Sequence, residues 1–188
     1  MKTLIHVALL ASFAAPLAWS AGTVKVYTPD SEKPKTLTHA EHLLDLVGQP
    51  RLANSWWPGA VIAERQKTAE AEQQHKALLA RLTGLAEQED GDDAAAINSV
   101  RQQLQALKVT GRQNVNLDPD EVRVTEKGNP TLEGEYTLWL PEKPTTVTVM
   151  GLISSPGKKP FTPGRDVVSY LDEMSLLSGA EKSDAWLI

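Results

Sequence analysis

At 188 residues, with 41% hydrophobic and 23% charged positions, the chain has the composition of a globular protein and room for one medium domain or two small ones. A formal net charge of −5 argues against a nucleic-acid partner or an anionic membrane surface, both of which need clustered Lys and Arg. Cysteine is absent, which removes disulfides, thiol catalysis and Cys-linked lipid anchoring, and suits an oxidising compartment where stray thiols mispair.

Residues 1–20 read as a signal peptide. Lys2 supplies the positive start and Leu4–Leu17 an apolar stretch shorter than the roughly 20 residues of a membrane span. Ala18-Trp19-Ser20 places small residues at −3 and −1, so cleavage is expected after Ser20. The expected location of the mature protein is the periplasm.

Val24 and Val26 alternate with Lys25 and Tyr27 in a first strand, and Leu37 is placed on a short return strand. Thr38 is the expected N-cap of a helix over His39–Val47, with Glu41 completing a capping box, and Gly48 and Pro50 end it. Trp56-Trp57-Pro58-Gly59 follows. Adjacent Trp residues in a Pro/Gly context can form a stacking platform for a sugar ring; the more common arrangement buries one ring and lays the other across the turn.

From about 63 to 108 Gly and Pro almost vanish. Leu78, Leu82 and Leu85, then Ile97, Val100, Leu104 and Leu107, recur at helical spacing on either side of an acidic break at Glu89–Asp93. This predicts an antiparallel helical hairpin, with Asp92 or Asp93 capping its second helix and the preceding sheet as its packing surface. Gly111 fits a left-handed helix stop. Val115 and Leu117 suggest a strand, Asp118-Pro119-Asp120 a turn, Glu121–Val124 a returning strand and Glu135–Leu140 a further one, with Tyr136, Leu138 and Leu140 on one face and Trp139 on the other.

Residues 144–188 give strand, turn, strand, helix, strand. Val147 and Val149 alternate with Thr146 and Thr148; Val167, Tyr170, Leu171 and Met174 stand at helical spacing; Gly179 is the expected helix stop; Ala185–Ile188 reads as a last strand. That order is the order of a small ubiquitin-like β-grasp module.

No phosphate-binding loop, dinucleotide fingerprint, GxSxG elbow or HExxH motif occurs. His39 and His42 lack further ligands at zinc spacing, and His75 sits among Gln, Lys and Glu, so all three read as solvated. Asp118 and Asp120 could pair for glycoside hydrolysis, but a D-P-D turn more often serves to reverse the chain. Arg112, at the junction of hairpin and sheet, has a guanidinium suited to a carboxylate or phosphate; from spacing alone a structural or surface role is the commoner one.

The phrases WWPGA, SVRQQLQALKVTGR, LDPDEVRV, GEYTLWLPEKPTTVTVMG and YL…SGAEKSDAWLI, in that order, resemble the capsule biosynthesis GfcC family, including its YjbG-like exopolysaccharide members. The resemblance implies an α+β fold of two β-grasp domains, SLBB-like and similar to those of outer-membrane polysaccharide exporters. The first would span 21–143 with the helical hairpin inserted, and the second 144–188. Because family members continue beyond the segment matching Trp186-Leu187-Ile188, the second is expected to be incomplete. The resemblance also implies a pocket beside the hairpin holding Arg112.

The expected function is that of a non-catalytic accessory protein in capsule or exopolysaccharide biosynthesis or export. Its partners would be a polysaccharide or the outer-membrane export machinery, with the membrane met only by association, no cofactor, no metal and no nucleic acid. Arg112, Trp56 and Trp57 are the ligand-binding candidates. The alternatives are a polysaccharide-modifying enzyme using Asp118 or Asp120, and a structural adaptor docking through the hairpin.

Overall fold

Alternation along β1 (Gly22–Tyr27) puts Val24 and Val26 on one face, and both are buried. A computed structural model describes residues 21–181, 183, 185 and 186; the signal peptide expected at residues 1–20 lies outside them. β1 pairs antiparallel with β2 (Lys35–Ala40) and parallel with β4 (Glu135–Trp139), which pairs antiparallel with β3 (Val61–Glu64). The four strands form one sheet in the order β2-β1-β4-β3, and the chain is α+β.

One face of this sheet carries the main core. Val24, Val26, Ile62 and Leu138 meet Leu43, Leu46 and Val47 of helix α1 (Leu43–Val47), with Leu52, Trp57, Leu117, Val122, Leu132 and Leu140 closing the layer. Burial of each large aliphatic side chain contributes about 1.5–3 kcal/mol, so this layer dominates the stability of the unit.

Tertiary pairing overrides several local expectations. The expected helix over His39–Val47 begins only at Leu43, because Lys35–Ala40 is drawn into the ladder with β1. A bulge there sets His39 at φ 64°, a left-handed conformation that ends any helix. The N-terminal amides are capped further on: the Asp45 carboxylate accepts from Glu41 N–H and His42 N–H, and Asn129 Oδ1 accepts from Leu44 N–H at 2.7 Å. The strand expected at Glu121–Val124 is instead helix α4 (Pro119–Val124). Asp118 caps it by accepting from Asp120 N–H, and Pro119 holds the first helical position. Val115 and Leu117 form no ladder; Leu117 is simply a core residue.

The helical hairpin is present as α2 (Arg65–Ala86) and α3 (Gly91–Gln105). Neither helix buries a residue, so the hairpin stands off the sheet rather than lying on it. Asp90 occupies the N-cap position of α3, with Asp92 and Asp93 in its first turn. His75, expected to be solvated, bridges the two helices through its Nε2, 2.9 Å from the Leu104 carbonyl oxygen.

The base of the hairpin is tight. Thr68 Oγ1 donates to the Glu64 carbonyl and accepts from Gly111 N–H. A Cβ at Gly111 would lie 2.3 Å from the Thr68 nitrogen. Gly111 is therefore required by close approach to α2, not by a left-handed helix stop: α3 has already ended at Gln105, and Gly111 is not among the positive-φ residues.

The second unit holds β5 (Thr146–Val149) antiparallel to β6 (Gly157–Pro160), then α5 (Val167–Asp172). Ile153, Tyr170 and Met174 are its buried side chains. The helix ends at Asp172, and Gly179 belongs to a later turn at φ 80°. Of the strand expected at Ala185–Ile188, Ala185 and Trp186 are outside any strand, and residues 187 and 188 lie outside the described residues.

This unit docks on α3 through a reciprocal pair. The Gln103 carboxamide donates to the Gly151 carbonyl at 2.9 Å and accepts from Gly151 N–H at 2.8 Å. Leu82, Ile97 and Val100 of the hairpin share an open groove with Leu152.

Leu138→Ala removes a fully buried side chain from the central strand and should destabilise the protein by about 2–5 kcal/mol in urea unfolding. Asp166, the cap of α5, accepts from Ser169 N–H at 2.7 Å, which holds its carboxyl below the ordinary 3.8. Its contribution should be complete above that value and lost as pH falls through the lowered one. The Ser169 amide shift should titrate below pH 3.8 in the wild type and stay flat in Asp166→Asn.

Candidate functional site

Two clefts are built on the paired strands β1 and β4. The outer face of the sheet, opposite the core, carries Thr23, Lys25 and Tyr27 in register with Glu135, Thr137 and Trp139. The first turns of α2 and the segment Lys108–Thr110 rise beside this face. Between them lies an open cleft of about 350 Å³, lined among others by Lys25, Thr68, Lys108, Thr137 and Trp139. Tyr27 and Trp139 stack at 6.1 Å with an interplanar angle of 16°, and Lys108 Nζ lies 5.6 Å from the Trp139 ring centre. Arg65, also at the cleft, is paired with Glu135 at 2.6 Å. Among the described residues Lys25 forms no salt bridge, and Lys108 has only its contact with the Trp139 ring.

The second cleft, about 460 Å³, lies where the same strands end. Trp56 and Pro141 form an apolar wall, and Lys35, Arg51 and Lys143 stand against Asp30 and Glu142. The Thr28 side chain, hydrogen-bonded to Asp30, holds that carboxyl below its ordinary value of 3.8.

The structure separates the sequence candidates. Trp57 is a core residue, 8% exposed, and its Nε1 donates to the Leu52 carbonyl at 3.2 Å, so its ring offers no free stacking face. Trp56 is half-buried and lies over Gly59: a Cβ at Gly59 would fall 2.0 Å from the Trp56 ring and 3.0 Å from Pro141. The arrangement with one ring buried and the other across the turn is the one adopted.

Arg112 is exposed. It pairs by a single bridge with Ala63 at the free edge of β3, completing a row Lys25–Thr137–Ala63–Arg112 across the sheet. It lines neither cleft and makes no ion pair with a described residue. Asp118 and Asp120 are engaged at the start of α4, the second in a 3.5 Å ion pair with Arg123.

Sequence reasoning missed Lys25, Tyr27 and Lys108 as site residues, and noted Trp139 only as facing away from the core. The available signal was the alternation itself, which turned aromatic and cationic residues outward on strands whose inward residues were valine and leucine. Among the described residues no group of three or more His, Asp or Glu could hold a metal ion. No described helix is long and apolar enough to cross a membrane.

Comparison with known proteins gives the class. The family described as capsule biosynthesis GfcC, N-terminal, matches residues 20–143, and capsule biosynthesis GfcC C-terminal matches residues 155–188. The chain belongs to the GfcC family of capsule biosynthesis proteins. It is 64% identical over 182 residues to the uncharacterized protein YjbG of Escherichia coli K12, a match covering 97% of this chain and 74% of that relative.

Gly59→Ala should displace the Trp56 ring, because the added methyl occupies its seat. The expected outcome is a changed Trp emission spectrum and a loss of about 1–3 kcal/mol in unfolding free energy.

Proposed function

We propose that the chain is a non-catalytic accessory protein of capsule or exopolysaccharide biosynthesis or export, acting in the periplasm and holding a saccharide in the cleft between the sheet and the hairpin. Family membership supports the polysaccharide context. The leader-like pattern of residues 1–20 and the absence of Cys support export. The observation that carries the binding reading is Trp139 in the cleft, backed by Tyr27, with Lys108 over its ring and Lys25 in the same lining. Arg112, at the end of the row that starts with Lys25, is available for an anionic group of a longer ligand or for an export partner.

We read the four-stranded sheet as a β-grasp. Its parallel central pair, flanked by antiparallel outer strands in the order β2-β1-β4-β3 and crossed on the core side by α1, supports that assignment. The second unit, a β-hairpin followed by a helix, is read as the start of another.

The test is titration with a purified bacterial exopolysaccharide that bears uronate residues, followed by Trp fluorescence and by chain-length chromatography. A saturable change is expected, weakened about tenfold (about 1.4 kcal/mol) by Lys25→Ala or Lys108→Ala, with chain lengths unaltered. Shortened chains would make the protein an enzyme. Absence of saturable binding would leave the adaptor role, with the hairpin as the docking element.

A further inference from the structure

We propose that the cleft around Trp56 is a second subsite, selective for an acidic sugar, and that one acidic glycan chain occupies both clefts at once. The inference rests on the saccharide-binding reading above and extends it to the length and charge of the ligand.

The Trp56 ring is fixed before any ligand arrives. Its seat exists because Gly59 has no side chain, and Pro141 closes the same space from the other side. A fixed aromatic surface suits the flat C–H face of a pyranose, because little side-chain freedom remains to be lost on binding. Lys35, Arg51 and Lys143 stand around it. None of the three is in a salt bridge with a described residue. A guanidinium with two ammonium groups is a receptor for a carboxylate, with Arg51 able to bind both oxygens. The flanking Asp30 and Glu142 disfavour a densely charged anion such as a pyrophosphate, whereas a single carboxylate on a hydroxyl-rich ring can be accommodated among both signs.

The placement of the clefts implies a chain. The hairpin-side cleft uses Thr23 and Lys25 of β1 and Glu135, Tyr136, Thr137 and Trp139 of β4; the Trp56 cleft uses Val26 and the segments Thr28–Asp30 and Pro141–Lys143 that follow the ends of those strands. β1 and β4 are parallel, so both successions run in one direction, with Trp139 in the hairpin-side cleft and Tyr27 stacked against it. Thr28 follows Lys25 by three positions and Pro141 follows Trp139 by two, so the clefts adjoin at the end of the strand pair and a chain of several sugar rings can touch both. Occupation of one cleft makes occupation of the other intramolecular, which raises affinity without any new contact. Each cleft carries a slight excess of cations over carboxylates, Lys25, Arg65 and Lys108 against Glu72 and Glu135 in the first and Lys35, Arg51 and Lys143 against Asp30 and Glu142 in the second, on a chain whose net charge is −5.

The experiment compares digalacturonate, octagalacturonate and the neutral maltooctaose by calorimetry on the full chain. Octagalacturonate should bind at least tenfold more tightly than digalacturonate, and maltooctaose more weakly than octagalacturonate. Trp56→Ala and, separately, the charge reversal Arg51→Glu/Lys143→Glu, which leaves the Trp56 seat intact, should each reduce octagalacturonate affinity to near that of the dimer. If octagalacturonate binds and loses affinity in Lys25→Ala but not in either Trp56-cleft variant, the second subsite is refuted while the saccharide-binding reading stands. If the two lengths bind equally, the spanning chain is refuted. If no saccharide binds the wild type, both readings fall.

Discussion

The parallel pairing of β1 with β4 is the constraint on which the rest of the structure depends. Those strands are joined by residues 28–134, so almost every other element of the first unit lies in the connection. Once the pair forms, Val24, Val26 and Leu138 define a core face, and α1 and α4 are gathered onto it. The opposite face is left to Lys25, Tyr27, Thr137 and Trp139, which become neighbours only through this register. The hairpin emerges beside that outer face because β3 pairs with the far side of β4 and runs directly into α2. Core, cleft and hairpin base thus all follow from one long-range ladder.

What could be read in advance divides along the same line. The hairpin was legible because its two helices carry a continuous compositional signal and a clear acidic break. The strands β1, β4 and β5 were legible through strict alternation. Capping residues were harder. Asp118-Pro119-Asp120 has the chemistry of a helix start, yet the alternation of Val122 and Val124 imitated a strand; the burial of Val122 and the exposure of Val124 arise on a short helix instead. Thr38 and Glu41 matched a capping box, but pairing with β1 claimed that backbone first. The amide acceptor on α1 comes from Asn129, a partner distant in sequence.

The candidate site was partly legible for a related reason. A lone Arg after Gly, or two adjacent Trp, can be seen in a sequence. A cleft made by residues spread over two strands and a helix base cannot, because its existence depends on register. Trp56 and Trp57 illustrate the difference: identical side chains, one step apart, take opposite roles because the turn at Pro58-Gly59 points one into the core and lays the other across a glycine. Gly111 is similar. Its identity as glycine was noticed, but its cause is the backbone of α2 passing at van der Waals contact.

The Gln103–Gly151 pair has a consequence for how freely the sequence can vary. Gln103 carries donor and acceptor on one rigid planar group, matching the acceptor and donor of the single backbone residue Gly151, and its nitrogen also donates to Ser99 Oγ at 3.3 Å. Glutamate would keep the length but lose the donor, lysine would lose the acceptor, and asparagine would keep both groups on a shorter arm. Gln102 and Gln105, on the same helix and exposed, meet no such reciprocal partner; Gln105 Oε1 only accepts from Arg101 one turn back at 3.5 Å. Three glutamines in one short stretch thus differ in what a substitution costs: at 103 it breaks the contact to Gly151, at 102 and 105 it leaves that contact intact.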